Sequence, residues 1–370
     1  MPQCSRQKPS WTGREQMAHS DTPTLQQQAE RLREWRAGFQ AVYVIATGIQ
    51  TGFFDQLAAH PQGLTAQELA QRTGCHTPYV AIWCASAYRY RLVDTHDGRY
   101  VLAPHIDSLL AGQTHPDSQA ALFLNVVRDA GPRLAQHADY MKSGTMGSHA
   151  EAYGRNPIRL DPPPNQEALQ WRLWCEEMRP RVPTLNDALR NGGRVLDVGC
   201  GPGLMLLQLA AAYPTASFVG VDVVELGGLE TARRLIRARG CESRIHVECV
   251  AAEQMTYAEA FDGVLITRVF HEIPVEIRAA LFRACYHALK RPGVLLNLDF
   301  AYPDTLEEFR QPLFWSGVDN QYREMVWGTV HPTWQEQHRM LTEAGFTAIE
   351  RHFVPQIPQG THYLAVAHKR

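Results

Sequence analysis

The residues best equipped for chemistry fall in two short stretches. The first is Asp197-Val198-Gly199-Cys200-Gly201-Pro202-Gly203, which ends the apolar run RVLDV and precedes LMLLQLAAAYP. Glycines there let the backbone turn sharply and approach a ligand closely. Asp222 closes the next apolar run, SFVGVD, 19 residues after Gly203. A carboxylate in that place accepts both hydroxyls of a ribose. Together they predict an adenosyl ligand, with Cys200 in the turn and Val223 after Asp222 as further contacts. The spacing is Gly-x-Gly-x-Gly, not the Gly-x-Gly-x-x-Gly of dinucleotide sites. Asp197 would repel a pyrophosphate but suits a ligand carrying an ammonium or sulfonium group. The second stretch, TRVFHEIP, sets Arg268, His271 and Glu272 just past another apolar run.

These groups need a frame. From Arg194 onward, apolar strand runs alternate with helical runs of ten to fifteen residues: RVLDVG, SFVGVD, RIHVECV, DGVLIT and VLLNLDF are the strands. That order means an α/β fold with a doubly wound, Rossmann-like parallel sheet. AIERHFV and THYLAVAH, joined by PQIPQG without a helix, are expected to pair antiparallel at one end of it. Ligands on such sheets sit at the carboxyl ends of the strands, near the switch in strand order. Both stretches lie at such ends. Pro274 is expected to open the helix that follows the second.

The preceding half reads as mostly helical. Leu25, Ala29, Leu32, Trp35 and Phe39 form one apolar stripe on a helix over 24–46, and Gly48 and Gly52 punctuate the turn after it. Thr65 and Glu68 make a capping box, and Gly74 stops that helix. Thr77 starts another with Pro78 at its first position. RLVDTHDGRYVLAP is then a hairpin around Asp97-Gly98. Helix, turn, helix, hairpin is the order of a winged helix. A DNA reader needs Arg, Lys, Asn or Gln on the second helix. This one offers Tyr79, Ile82, Trp83, Ala85 and Tyr88, which favour an interaction or dimerisation role. Residues 1–23 are expected to be a disordered tail with Cys4 incidental, 24–112 the winged-helix dimerisation domain, 113–165 a helical linker, and 166–370 the catalytic domain. The boundary falls near Pro162–Pro164, and QEALQWRLWCEEMRPRVPTLNDAL resumes helical periodicity after it.

Composition excludes several classes. With 38 acidic and 36 basic residues the formal charge is −2, which removes the electrostatic case for nucleic-acid or membrane-surface binding. Eight cysteines without a CxxC pair suggest reduced thiols, a cytoplasmic setting and no structural zinc. No apolar run approaches the length of a membrane span.

VLDVGCGPG, then GVD, FDGVLITRVFHEIP and LKRPGVLLNLDF, resemble the class I S-adenosylmethionine-dependent methyltransferases over roughly 190–370. With the winged-helix module in front, the whole chain is similar to their small-molecule O-methyltransferase type. The resemblance implies S-adenosylmethionine as cofactor, S-adenosylhomocysteine as product and a homodimer paired through the N-terminal domain. Gly199, Gly201 and Gly203 would line the methionine and ribose portions of the cofactor. Asp197 would serve its amino group, Asp222 the ribose, and Arg268 would also lie on the cofactor side. After the third strand the usual Gly-Asp is replaced by Cys249-Val250, and Glu253 stands in near the adenine amine. In the phenolic enzymes of this type a His matching His271 takes the acceptor hydroxyl's proton, a role for which imidazole's near-neutral titration suits it. S-, N- or C-methylation stays open, with His271 then only positioning the acceptor. So does a non-methylating or regulatory protein on this fold. Residues 300–334 carry eight aromatics in a long, irregular segment expected to act as a lid. From it Trp315, Tyr322 and His331 are candidate acceptor contacts, with Glu272, and with Tyr153 and Arg155 from the helical half. No metal is expected, because no second His follows His271 at ligand spacing.

Overall fold

The computed structural model describes residues 22–144, 162–223, 228–355 and 357–370. Residues 1–21 of the expected tail and the candidates Tyr153 and Arg155 therefore lie outside the described residues. The N-terminal half opens with α1 (Leu25–Gln50), α2 (Phe53–Ala58), α3 (Ala66–Thr73) and α4 (Thr77–Arg89), followed by the antiparallel pair β1 (Val93–His96) and β2 (Arg99–Leu102). Thr24 and Thr65 each cap a helix through a reciprocal box with Gln27 and Glu68. Such a cap is worth about 1 kcal/mol. Glu68 also takes both ends of the Arg99 guanidinium at 2.9 Å, which ties α3 to the hairpin.

Gly48 does not punctuate a turn as expected. It lies inside α1, where a Cβ would stand 2.5 Å from Phe54 and 2.6 Å from Trp83. Its missing side chain is what lets α1 press on the core of the half. Gly52, at φ 73°, makes the turn. Of α1 only Ile45, Ala46 and Gly48 are buried. Leu25, Leu32, Trp35, Phe39 and Tyr43 are exposed, as are Tyr79, Ile82 and Tyr88 of α4, whereas Trp83 is in the core.

Short helices α5 (Ile106–Leu110), α6 (Ala120–Asn125), α7 (Gly131–Leu134) and α8 (His137–Ser143) carry the chain toward the second half. The run after the prolines is not one helix. It is α9 (Gln166–Arg172), a wider π stretch (Leu173–Met178), a 3₁₀ turn around Pro180, and α10 (Pro183–Arg190). Two prolines within four residues remove the amide donors that a continuous helix needs.

The second half is a seven-stranded sheet in the order β5-β4-β3-β6-β7-β9-β8. β3 (Arg194–Val198), β4 (Ser217–Asp222), β5 (Ile245–Cys249), β6 (Phe261–Thr267) and β7 (Leu289–Phe300) are parallel. β8 (Thr347–Val354) and β9 (His362–Lys369) pair antiparallel, with β9 inserted against β7. Between them run α11 (Leu204–Ala212), α12 (Glu230–Ala238), α13 (Arg278–Ala288), α14 (Trp315–Glu324) and α15 (Trp334–Ala344). Both faces are covered. Val195, Leu296 and Leu298 face one apolar core; Leu196, Val264 and Leu295 face the other. Burial on both sides explains why the strands read as near-continuous apolar runs.

The strand order reverses between β3 and β6, so a crevice opens at their carboxyl ends. The glycine turn leaves β3 there and the His271 loop leaves β6. Two expected details differ. Residues 300–334 are irregular only in part: 301–305 and 329–333 have no regular structure, and the middle holds 3₁₀ turns and the ten-residue α14. Pro274 precedes only a 3₁₀ turn, and α13 starts at Arg278. Arg278 is buried and donates to the carbonyls of Ile273, His271 and Val330, so it gathers the loop behind His271.

Candidate active site

The β3 side of the crevice is built from backbone. Gly199 and Cys200 both donate their amides to the Val221 carbonyl, at 2.8 and 3.1 Å. Gly201 donates to the Asp222 carboxylate at 2.8 Å. Gly199 has φ 71°, and a Cβ there would stand 2.5 Å from Val269. Gly201, at φ 50°, faces open space within which a Cβ would meet nothing. This is a cradle that glycines keep clear. Gly203 caps α11 in the left-handed conformation.

Asp197 is 3% exposed at the floor of this cradle. Burial, reinforced by the nearby charge of Asp222, pushes its carboxyl up to about 8. A buried carboxylate beside a second carboxylate favours a cationic ligand. That chemistry fits the ammonium and sulfonium of the expected cofactor. Val223, next to Asp222, is exposed. Val250 donates to the Asp222 carbonyl at 3.0 Å, so the β5 loop borders the same end. Glu253 follows in a one-turn 3₁₀ helix and is partly exposed.

The β6 side is built from side chains that lie far apart in the chain. Arg268 takes φ 58° and donates its amide to the Leu298 carbonyl at 2.7 Å, which swings the loop back over β7. Its positive charge acts on the neighbouring His362. His271 is buried, and its Nδ1 stands 2.6 Å from Asp299 Oδ1. The Asp299 carboxylate also accepts the backbone amides of His271, at 2.9 Å, and Phe300, at 2.8 Å. A carboxylate can only accept, so Nδ1 carries its proton and Nε2 is presented to the crevice.

Beyond Nε2 stand Glu324, at 3.5 Å, and Glu272, at 3.9 Å. Burial opposes charge on His271, but Asp299 and then Glu324 and Glu272 outweigh it and hold the imidazole at about 10. Burial likewise opposes the Asp299 charge, and the His271 imidazolium outweighs it, so the carboxyl stays low. The His331 ring lies 4.7 Å from that of His271 with 20° between planes, and Asn320 holds His331 Nε2 at 3.1 Å. Burial, with the charge of His271 beside it, pushes His331 down to about 3.

The fold thus gathers His271, Glu272 and His331 of the expected set. It leaves Trp315 and Tyr322 about half exposed on α14, with Tyr322 edge-on to the buried His137 of α8 at 4.9 Å. Arg133, between α6 and α8, stacks its guanidinium over Trp327 at 4.5 Å. The helical half therefore abuts the α14 region.

Sequence reasoning missed Asp299, Asn320 and Glu324. Asp299 carried a usable signal, since it ends a strand at the carboxyl edge. Glu324 and Asn320 carried none, being ordinary polar residues of a segment read as a lid.

A model described as a methyltransferase domain matches residues 195–293. A tRNA (guanine-N(7)-)-methyltransferase of Chloroflexus aggregans is 32% identical over 170 residues, 41% of this chain and 75% of that relative. The chain belongs to the class I S-adenosylmethionine-dependent methyltransferases. A second relative of this methyltransferase, the 3-hydroxy-5-methyl-1-naphthoate 3-O-methyltransferase of Streptomyces sahachiroi, is 24% identical over 290 residues, 77% of this chain and 81% of the relative. Among solved structures, human N-acetylserotonin methyltransferase in complex with S-adenosylmethionine shares the fold. Its TM-score is 0.68 at 20% identity, covering 95% of this chain and 99% of that one. S-adenosylmethionine is the methyltransferase's cofactor. No helix of the described residues is long and apolar enough to cross a membrane.

Proposed function

We propose that this methyltransferase transfers a methyl group to a hydroxyl of a small, largely apolar acceptor. The observation that carries the reading is the buried His271–Asp299 pair at the carboxyl ends of β6 and β7. When bound, the cofactor supplies an electrophilic methyl carbon. Gly199, Gly201 and Gly203 would hold its methionine and ribose portions, with Asp197 facing its ammonium and Asp222 its ribose. Glu253, Cys200 and Val223 complete that side, whereas Arg268 lies on the β6 side, where its charge acts on His362.

On the acceptor side, Asp299 fixes the His271 ring and keeps the proton on Nδ1. Nε2 then takes the hydroxyl proton as the oxygen attacks, and the imidazolium so formed stays paired with Asp299. General-base help of this kind is worth about 10²–10⁴-fold. Glu324 lies where the displaced proton can be shared. Glu272, His331, Trp315 and Tyr322 border the acceptor. The likeness to a naphthoate O-methyltransferase over 77% of this chain supports a small aromatic acceptor over RNA, and so does the near-neutral charge.

The same reading includes a homodimer formed through the winged-helix half. The exposed stripe on α1 and the exposed aromatics of α4 are apolar surface of the kind that an isologous interface covers. The cysteines of the described residues are free thiols, in keeping with a cytoplasmic setting.

The test is transfer of labelled methyl from S-adenosylmethionine to a panel of hydroxylated aromatic acids, amines and thiols, with the product bond mapped by mass spectrometry. Label on oxygen supports the proposal. Label confined to nitrogen, sulfur or carbon contradicts it.

A further inference from the structure

The crevice holds more ligating power than proton transfer needs. His271, Glu324 and His331 come from the β6 loop, α14 and the segment before α15. Their nearest ligand atoms all lie within 4.8 Å of one another. Both histidines are at most 3% exposed, and the Glu324 side chain is 12% exposed.

We propose that these three residues form a site for a zinc-class divalent ion, which competes with the acceptor hydroxyl for the Nε2 lone pair of His271. The site itself stands on geometry alone; its effect on turnover rests on the base role proposed above.

Ring positions fit the ion. With Zn–N near 2.1 Å, a bound imidazole has its centre about 3.2 Å from the metal. Two such rings, spread between a right angle and the tetrahedral angle, have centres about 4.5–5.2 Å apart. His271 and His331 have theirs at 4.7 Å. Neighbouring tetrahedral ligand atoms stand about 3.4 Å apart, and Glu324 Oε2 lies 3.5 Å from His271 Nε2. The three side chains are thus close enough to share an ion, and closure on it requires His331 to turn out of its near-parallel stack on His271.

The second layer fits as well. A metal-binding His usually donates its other N–H to a carboxylate, which fixes the tautomer and raises its basicity. Asp299 does this to His271. Asn320 donates its amide to His331 Nε2, so the lone pair of His331 lies at Nε2 and an ion there takes the place of that hydrogen bond. Glu324 and Asp299 together balance a dication. Two imidazoles and one carboxylate select a borderline metal, whereas magnesium and calcium prefer all-oxygen shells. Three protein ligands leave a fourth position for water.

The experiment is titration of chelator-stripped full-length protein with Zn²⁺ against a colorimetric indicator, with cofactor binding measured in parallel to verify folding. One tight equivalent is expected. Asp299→Asn should weaken it about 10–100-fold, and Glu324→Gln and His331→Ala at least about tenfold. Unchanged affinity in both Glu324→Gln and His331→Ala would overturn the site and assign the metal to thiols. Methyl transfer should fall in step with occupancy. If the ion binds here and turnover does not fall, the metal site stands and the base role of His271 fails.

Discussion

The two sides of the crevice are made differently. On the β3 side, a continuous turn of seven residues and one aspartate at the end of the next strand do the work, mostly through backbone. On the β6 side, His271, Asp299, Glu324 and His331 come from four separate segments and act through side chains. The first arrangement is shaped by local conformation, so it tolerates little change in residue type at the glycines. The second is shaped by tertiary packing, which brings together residues far apart in the chain.

That contrast predicts separable defects. The largest is on the β6 side. His271→Ala should lower kcat about 10²–10⁴-fold and leave the dissociation constant of S-adenosylhomocysteine nearly unchanged by calorimetry. A matching loss of cofactor affinity would erase the distinction between the two sides. Next is Asp299→Asn. It leaves a buried imidazolium without its counter-charge, and breaking such a pair costs roughly 3–5 kcal/mol. The urea midpoint should fall accordingly, and kcat should fall with it.

A smaller effect tests the β3 side. Asp197, raised to about 8 by burial and by Asp222, is mostly protonated at pH 6. A cationic ligand prefers the ionised form, so cofactor affinity should rise with pH up to about 8 and level off above it. The slope is at most about tenfold per pH unit. Asp197→Asn should flatten it; a slope that survives the substitution assigns the linkage elsewhere. The smallest effect on chemistry belongs to the distant stripe. Trp35→Asp with Phe39→Asp should turn a dimer into a monomer by sedimentation, with methyl transfer per chain changed far less than in the His271 variant.

The same contrast explains what the sequence could reveal. The alternating runs from Arg194 were legible because both faces of the sheet are buried, and the glycine turn was legible because its parts are contiguous. Capping at Thr65 and the Asp97-Gly98 hairpin are local as well. Gly48 was misread because its role depends on Phe54 and Trp83 packing against it. The helix at 315–324 was hidden by aromatics that read as a lid. The partners of His271 were invisible for a similar reason: nothing local marks Glu324, and the pairing with Asp299 follows from β6 lying beside β7. The apolar stripe was visible, but what covers it is a property of assembly.

The central claim is that His271, held by Asp299, takes the acceptor's proton. Single-turnover methyl transfer to a hydroxyl acceptor, followed against pH, tests it most directly. The imidazole sits at about 10 between its carboxylates, and only its unprotonated form accepts a proton. The rate should therefore climb with pH across the neutral range toward that value. In Asp299→Asn, which removes the largest raising influence, the inflection should move down. A rate that is flat across the neutral and alkaline range in the wild type, or an inflection that stays in place in the variant, would contradict the account.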